Sequence, residues 1–397
     1  MPRFINGLIV WLVATIFVVY SFCLNTAAAV FSDVIKSSLH VNDVSASLAT
    51  GAFILGFACM QIPAGYLLDR YSAKFIVSTG VLLLALGNIC ISYADNVYVF
   101  ALSNFLQGLG ASFAFISVAI LISQWFSVKL FPILFGLSQT ISCVLTGVIH
   151  YYLTLALATH AWSDIYRDLG IFGLALFVLC VLLVKTPANY YHGKNISLIK
   201  SLKTVLKNKQ IILCAFAAAT SFGTLLAYAS YWYAQVQVFY HVEHLQAVLI
   251  SSMVFLGVGV GTPLMGWLSN KIKSRIIVVH ASLALGAMAL ILEIYFPRFA
   301  IESLILIKAM SFLTGFFLSG AMLFYTMVSE RATETTRGVA ISVLNTMVFL
   351  FNTILLFIPY LFITSISRDF FTYLWVLPFC VLISLLLMTF IKDTFKK

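Results

Sequence analysis

The chain of 397 residues is 62% hydrophobic and only 9% charged, and it carries a formal net charge of +10 at pH 7. Typical soluble domains are ~45–50% apolar and ~25% charged. A soluble fold of this composition would lack the polar surface that keeps it dissolved. A cytosolic enzyme and a nucleic-acid-binding module are therefore excluded, and an integral membrane protein is indicated.

Apolar segments recur along the whole chain between charged or turn-like breaks, and they predict twelve membrane-spanning helices. At ~1.5 Å per residue such segments cross a bilayer core of ~30 Å, and the residue alternation of an outer-membrane barrel is absent. The predicted spans are 5–31, 46–67, 75–94, 98–124, 130–157, 168–185, 210–237, 245–268, 276–296, 300–328, 336–364 and 370–391.

The spans form two sets of six on either side of the longest polar stretch, which carries five lysines. We therefore expect an all-α membrane protein with two pseudo-symmetric six-helix bundles at 1–186 and 210–397, joined by a basic cytoplasmic linker at 187–209.

The basic residues predict the membrane topology. With the N-terminus in the cytoplasm, eighteen of the 23 Lys and Arg lie inside and four outside. This bias predicts that both termini are cytoplasmic and explains the positive charge as topology rather than polyanion binding. The short loops favour a bacterial inner (plasma) membrane.

A short basic turn follows the second helix of each half. It is "GYLLDRYSAK" at Gly65–Lys74 and "GWLSNKIKSR" at Gly266–Arg275. Such a repeat indicates that the chain is a duplicated six-helix unit.

The first turn resembles a loop of the major facilitator superfamily of secondary transporters, whose pattern is glycine, any, leucine, small, aspartate, basic, any, glycine, basic, basic. The sequence departs from that pattern at Leu68, Ser72 and Ala73, and the second copy has Asn270 where the first has Asp69. The resemblance implies the fold of that family, alternating access, and a conformational latch between a carboxylate, a helix N-terminus and basic partners. We expect the latch to involve Gly65, Asp69, Arg70, Lys74, Gly266, Lys271 and Arg337.

The family architecture also implies that helices one, four, seven and ten line a central cavity. Polar residues that share a face of those helices are candidates to bind the solute, although serine and glycine at this spacing equally serve close helix packing. The candidates are Lys308, Gln107, Tyr228, Asn25, Gln235 and Ser311.

Lys308 lies inside the tenth span, where a charge costs about 2.5–3.5 kcal/mol on insertion scales. No acidic residue shares its helical face, so an anionic group of the solute is the expected counter-charge. The alternative is a lysine whose ammonium group snorkels to the membrane surface.

Asp33, His150 and Glu293 are the candidates for proton coupling, with Asp33 and Glu293 expected near the outer membrane boundary. A lone membrane histidine is more often a packing residue. In helix four, Asn104 replaces the arginine that the family associates with coupling, which argues against that route. Because no buried acid pair is evident, uniport and exchange stay open beside proton symport.

The sequence thus predicts a secondary transporter of a small polar, carboxylate-bearing solute such as an amino acid, a short peptide or an organic acid. The overall pattern also resembles the organic-anion, lysosomal dipeptide-type and bacterial amino-acid porter branches of the superfamily. Drug export is the alternative: the 15% aromatic content favours it, and the lack of a buried acid to recognise cations disfavours it. A non-transporting sensor is a weaker alternative, because no added soluble domain is visible.

No enzymatic activity, cofactor or metal site is expected. The seven cysteines lack metal-ligand spacing, and no nucleotide-binding loop is present. The expected partners are the solute, coupled protons or an exchanged solute, and the lipid bilayer, with no nucleic acid and a monomeric chain.

Overall fold

The computed structural model describes residues 2–187, 197–232, 244–295, 304–362 and 374–395, with the single positions 236 and 242. In these residues all regular secondary structure is helical. The first part of the chain contains α1 (Pro2–Ser38), α2 (Asp43–Arg70), α3 (Ala73–Ser92), α4 (Val97–Trp125), α5 (Phe131–Ala156) and α6 (Trp162–Leu183). The second part contains α7 (Leu198–Lys207), α8 (Lys209–Ala218), α9 (Thr224–Ala227), α10 (His244–Ile272), α11 (Arg275–Tyr295), α12 (Leu304–Leu318), α13 (Leu323–Arg331), α14 (Arg337–Phe362) and α15 (Val376–Met388).

The predicted all-helical membrane fold is confirmed. Within the described ranges, eleven helical segments are long and apolar enough to cross a membrane, and the shorter apolar α15 lies inside the twelfth predicted span. Two spans are continuous but change their winding. α8 and α9 are joined by the π-helical turn Ala219–Gly223, and α12 and α13 are joined by the 3₁₀ turn Ser319–Met322.

The sixth helix begins earlier than the predicted residue 168. Trp162 and Ile165 are buried in the first turns of α6. The charges that suggested a break face outward and pair with each other, since Arg167 lies 2.9 Å from Asp164 and 3.9 Å from Asp168. Charges that pair on an exposed face do not end a helix.

The predicted linker contains the helix α7. Ser201 and Val205 are buried, whereas Lys200 and Lys203 are exposed, so the helix has one packed face and one basic face. The lysines therefore mark an amphipathic helix rather than an irregular connection.

Asparagine side chains start three of the helices. Asn42 accepts a hydrogen bond from the Ser45 N–H before α2, and Asn96 and Asn208 accept from two N–H groups each before α4 and α8. These caps satisfy backbone donors that the first helical turn leaves unpaired.

The chain forms two compact units. The first consists of Met1–Ser127, Ile141–Leu202 and Glu334–Ser342, and the second of Val128–Thr140, Lys203–Thr333 and Val343–Lys397. Both α5 and α14 thus contribute a part to each unit. The boundaries expected at 186 and 210 stay a prediction.

In the first unit, α2 packs along α4, and α3 packs against α4 and α6. Gly56 of α2 faces the backbone of Phe105, and Gly108 of α4 faces the backbone of Phe53, each so closely that a Cβ atom would collide. Glycine on both helices permits this approach of two membrane helices.

The second unit contains the same close contact between two helices through glycine. Gly257 of α10 faces the backbone of Phe312, and Gly315 of α12 faces the backbone of Val254, again with no room for a Cβ atom. The same close contact in both units agrees with the internal duplication predicted from the two basic turns.

Candidate functional site

Asp69, at the end of α2, holds the N-terminus of α14. Its side chain is buried, and its two carboxylate oxygens accept hydrogen bonds from the N–H groups of Gly338 at 2.6 Å and Val339 at 3.0 Å. All three residues belong to the first unit. A carboxylate at this position satisfies two orphan donors and faces the positive end of the helix dipole.

Glycines make this contact possible. A Cβ atom at Gly65 would collide with the backbone of Gly338, and one at Gly338 would lie 2.9 Å from the Asp69 carboxylate.

The basic side chains of the turn have other hydrogen-bond acceptors. Arg337 at the start of α14 donates a hydrogen bond to the Ser123 hydroxyl at 3.2 Å. Arg70 instead donates to the Tyr66 hydroxyl at 2.5 Å. The hydrogen-bond donors to Asp69 are therefore backbone N–H groups, and the positive charge of Arg337 also acts on its carboxylate. We call Gly65, Asp69, Gly338 and Val339 the Asp69 clamp.

The corresponding turn of the second unit is built differently. The Asn270 amide donates to the carbonyl oxygen of Lys129 at 2.6 Å and accepts from Arg275 at 2.8 Å. Arg275 is fully buried and also pairs with Glu330 at 2.9 Å. The second unit thus has a neutral side chain, Asn270, where the first unit has a carboxylate. The ion pair of this turn is formed by Arg275, which donates to Asn270, and Glu330.

The C-terminal segment is tied to the same turn. Asp393 accepts hydrogen bonds from the Ser274 hydroxyl and from the N–H groups of Arg275 and Phe395. Partial burial opposes the charge of Asp393, but these hydrogen bonds outweigh burial and hold the pKa of the carboxyl group below its ordinary value.

A buried carboxylic acid lies in the second unit. Glu293 on α11 has only 3% of its surface exposed. The hydroxyl groups of Ser311, Thr314 and Tyr228 come near its carboxyl group, but the Ser311 hydroxyl donates to the carbonyl oxygen of Ile307 at 2.8 Å, and both Glu293 oxygens are without a hydrogen-bond partner among the described residues. Among the described residues no Lys, Arg or His forms an ion pair with Glu293. We call Glu293, Ser311, Thr314 and Tyr228 the Glu293 cluster.

The backbone next to this cluster is irregular. Tyr228 begins the π-helical turn Tyr228–Trp232, and the Trp232 indole donates to the carbonyl oxygen of Leu355 at 3.1 Å. π-helical turns inside α-helices occur frequently at functional sites. The turn therefore adds a local feature that regular helix packing does not require.

The first unit contains a buried polar network without a charge. The Asn88 amide donates to the Tyr20 hydroxyl at 2.8 Å, and the Gln107 amide donates to the Asn88 oxygen at 3.0 Å. The Tyr20 hydroxyl in turn donates to the carbonyl oxygen of Leu169 at 2.8 Å. The network links α1, α3, α4 and α6 and pairs the side-chain groups that it buries.

A family model described as Major Facilitator Superfamily matches residues 12–356 and 240–395. The chain belongs to the Major Facilitator Superfamily. The resemblance predicted from the first basic turn is thereby confirmed.

Two curated members of the superfamily are similar over parts of their length. Multidrug resistance protein MdtL of Shewanella oneidensis is 22% identical over 151 residues, which are 38% of this chain and 38% of that protein. Protein spinster homolog 1 of Xenopus tropicalis is 26% identical over 264 residues, which are 62% of this chain and 50% of that protein. The matched region thus spans half or less of these relatives.

Solved superfamily structures match almost the whole chain. The proton:xylose symporter XylE has a TM-score of 0.74 at 15% identity, covering 98% of this chain and 96% of that one. The fucose:proton symporter FucP of E. coli has a TM-score of 0.71 at 17% identity, covering 96% and 99%. Family and fold together identify a multi-pass membrane protein of this superfamily.

The structure distributes the predicted solute-binding residues of this superfamily member over different environments. Lys308 and Asn25 are exposed, whereas Gln107 is buried in the polar network. Tyr228 and Ser311 are both buried in the Glu293 cluster. Gln235 lies outside the described residues.

The predicted coupling residues also differ from one another. Glu293 is buried and lies two residues before the end of α11, and its predicted position near the outer membrane boundary stays a prediction. His150 is half-buried, with Nε2 3.2 Å from the carbonyl oxygen of Cys23. The side chain of Asp33 lies outside the described part of the chain.

The remaining latch candidates of the superfamily turns lie apart from the Asp69 clamp. Lys74 is exposed, and the Lys271 ammonium group lies 5.0 Å from the centre of the Trp267 ring. Gly266 faces the backbone of Pro132, where a Cβ atom would lie 2.8 Å from the carbonyl oxygen. Lys74 and Lys271 are therefore placed at the ends of the helices rather than on the Asp69 carboxylate.

Sequence reasoning missed Thr314 and Asn88. Thr314 follows Ser311 by three residues and so shares its helix face, a signal that was available. Asn88 lies on helix three, which the family architecture does not place at the cavity.

Proposed function

We propose that this chain is a proton-coupled secondary transporter that moves a small polar solute by alternating access, with Glu293 as the residue that carries the proton. The observation that carries this proposal is the burial of the Glu293 carboxyl group among the hydroxyls of Ser311, Thr314 and Tyr228.

An ionised carboxylate without a charged partner is costly inside a membrane bundle, whereas its protonated form is neutral. Hydroxyl groups donate hydrogen bonds to the ionised carboxylate and accept one from the protonated acid. The Glu293 cluster therefore suits both states of a carboxyl group that gains and loses a proton during a transport cycle. The proton symporters FucP and XylE, which share the fold, add support.

The coupling test compares two transport modes in proteoliposomes. Replacing Glu293 with Gln imitates the protonated acid, so we expect exchange of labelled for unlabelled solute to continue and accumulation driven by a pH gradient to be lost. Asp95→Asn, in the exposed turn before α4, is the matched control and should retain both modes. Gradient-driven accumulation by Glu293→Gln equal to the wild type would contradict the assignment, as would a sodium gradient that drives uptake when a proton gradient does not.

The solute for this test is found first by thermal stabilisation of the purified protein, because a bound ligand raises the melting temperature by mass action. The panel contains amino acids, di- and tripeptides, organic acids and lipophilic cations. Our proposed solute class is carboxylate-bearing, with Lys308 as the counter-charge.

Lys308 tests the solute class. It precedes the buried Ser311 by three residues but is itself exposed. We expect Lys308→Ala to abolish the stabilisation by a carboxylate-bearing solute, with expression unchanged, if the ammonium group binds that carboxylate. Lys273→Ala, at the exposed turn after α10, is the control. An equal response of wild type and Lys308→Ala would remove Lys308 from the binding site.

Export of lipophilic cations is the second candidate function. Its specific support is the buried Glu293 carboxyl group, because a buried acid is the group that recognises a cation. Stabilisation by lipophilic cations alone, lost in Glu293→Gln and kept in Lys308→Ala, would favour export over the uptake of carboxylate-bearing solutes.

A further inference from the structure

A cavity lies within the first unit, between α1, α5 and α6. Its volume is about 440 Å³, within the roughly 300–1,000 Å³ typical of ligand sites. Phe172 and Ile16 at its edge are 50% and 39% exposed, so the cavity opens to the surroundings of the helices. It is separate from the Glu293 cluster, whose residues belong to the second unit.

The walls of the cavity are apolar. Representative residues from the three helices are Ile16, Cys23, Ile149, Ala156, Ile165 and Phe172. The Tyr20 hydroxyl also lies at the wall, but it already donates to the Leu169 carbonyl and accepts from Asn88. The cavity therefore suits a hydrocarbon chain rather than a polar solute.

The exposed polar residues of the wall are His160, in the α5–α6 turn, and Asp168, about two turns into α6. Arg167 lies between Asp164 and Asp168 at 2.9 and 3.9 Å. The two acids and one arginine together carry one net negative charge, and of these three residues only Asp168 lines the cavity. An apolar cleft that ends in a weakly acidic rim is complementary to an amphiphile with a cationic group in its head.

The surrounding bilayer supplies such a molecule. The α1 part of the wall lies within the apolar segment Arg3–Asn25, at a depth where acyl chains are the solvent. An unfilled apolar cleft would forfeit the dispersion contacts of its lining.

We propose that the α1–α5–α6 cavity binds one acyl chain of a bilayer phospholipid whose zwitterionic headgroup carries a primary ammonium. The headgroup lies at His160 and Asp168, with Asp168 as the acceptor for the ammonium, and the chain runs along α1 toward Ile16. The bound lipid is a fixed part of the first unit and not the transported solute.

Native mass spectrometry of the purified full chain tests this site with phosphatidylethanolamine as the probe. We expect the wild type to retain one phosphatidylethanolamine through delipidation and to prefer it to phosphatidylglycerol. Ala156→Phe fills the cavity and should weaken retention by about tenfold or more, because the new ring occupies the space of the chain. Ala284→Phe, on an exposed face of α11 in the second unit, is the matched control and should retain the lipid like the wild type.

The headgroup is tested separately. Asp168→Asn should erase the preference for phosphatidylethanolamine over phosphatidylglycerol while leaving an acyl chain bound. Equal retention of both lipids by the wild type, or equal loss in Ala156→Phe and Ala284→Phe, overturns the site. If the protein retains a free fatty acid but no phosphatidylethanolamine, the acyl chain in the cavity does not come from a bilayer phospholipid, and the proposal is wrong.

A second measurement needs no variant. Phosphatidylethanolamine with a diazirine on its acyl chain is incorporated into nanodiscs with the wild-type chain and photoactivated. Adducts should concentrate in 16–23, 149–156 and 165–172, above the level at exposed residues elsewhere such as Leu102 and Leu182. A uniform distribution over lipid-exposed residues contradicts a specific site.

Discussion

The substitution Asp69→Asn tests the Asp69 clamp with the smallest change of shape. The wild-type carboxylate accepts two hydrogen bonds, from the N–H groups of Gly338 and Val339. Asparagine retains one acceptor oxygen and turns a donating NH₂ group toward the other N–H. The variant therefore loses one hydrogen bond and the attraction between the negative charge and the helix N-terminus.

The size of the loss follows from these two terms. A hydrogen bond to a charged group contributes about 1.5–3 kcal/mol, and removing a helix cap costs about 0.5–2 kcal/mol. Part of this is recovered by the remaining oxygen, so we expect a shift of about 1–3 kcal/mol, which corresponds to about 5–150-fold in the equilibrium between closed and open clamp.

Hydrogen exchange measured by mass spectrometry reports this equilibrium directly. In Asp69→Asn, the Gly338 and Val339 amides should exchange faster by about 5–150-fold, because exchange requires the clamp to open. Asp95→Asn, in an exposed turn, is the control and should leave that segment unchanged. If Asp69 acts in state switching, transport turnover should slow more than solute binding weakens. Unchanged exchange at Gly338 and Val339 would refute the clamp, and equal losses of binding and turnover would refute its role in switching.

Two further predictions concern the second unit. Arg275→Ala leaves Glu330 buried without its partner and should destabilise the protein by about 3–5 kcal/mol, seen as a lower melting temperature; a shift no larger than that of Lys273→Ala would contradict this reasoning. The pKa of Asp393 in the folded protein is lower than its pKa of about 4 in the unfolded chain. The stabilisation of the C-terminal segment by Asp393 is therefore fully present at a pH above the unfolded pKa and is lost as the pH falls through the folded pKa. Carboxypeptidase digestion of wild type and Asp393→Asn should therefore differ by a constant factor from about pH 8 to 5 and converge only below about pH 4, and no difference at neutral pH would refute the anchor.

The fold could be predicted from the sequence because long apolar segments in a membrane have few alternatives to a helix. The helix boundaries and helix types that differ from the prediction lie where hydrophobicity alone does not determine them. The charges near the start of α6 suggested a break, but Arg167 pairs with Asp164 and Asp168 on the exposed face. The winding change at Ala219–Gly223 leaves no signal in a hydropathy pattern.

The candidate site was predicted less completely, and Glu293 shows why. Its place near the end of its span suggested a peripheral acid. Its place around the helix is what buries it, since Gly286 and Leu290 lie on the same face, seven and three residues earlier, and are buried too. Position along a helix axis and position around it are independent, and only the second decides burial.

Lys308 shows a second limit of what the sequence can predict. A charge inside an apolar span suggests a group that requires a counter-charge. The lysine is exposed together with Ile305, whose surface is 81% exposed. Exposure at that depth depends on which neighbouring helices cover the face, and a single sequence does not contain that information. The solute class that rests on Lys308 therefore stays a prediction.

The difference between Asp69 and Asn270 follows from what each side chain meets. Asp69 meets two N–H donors, and only a group with acceptors on both oxygens satisfies both. Asn270 meets one acceptor, the Lys129 carbonyl, and one donor, the Arg275 guanidinium. A carboxylate there would set a negative oxygen against the carbonyl, whereas the amide supplies one donor and one acceptor. The departure of the second turn from the family pattern is thus matched by the local chemistry, and the charge needed to hold Arg275 is supplied by Glu330 instead.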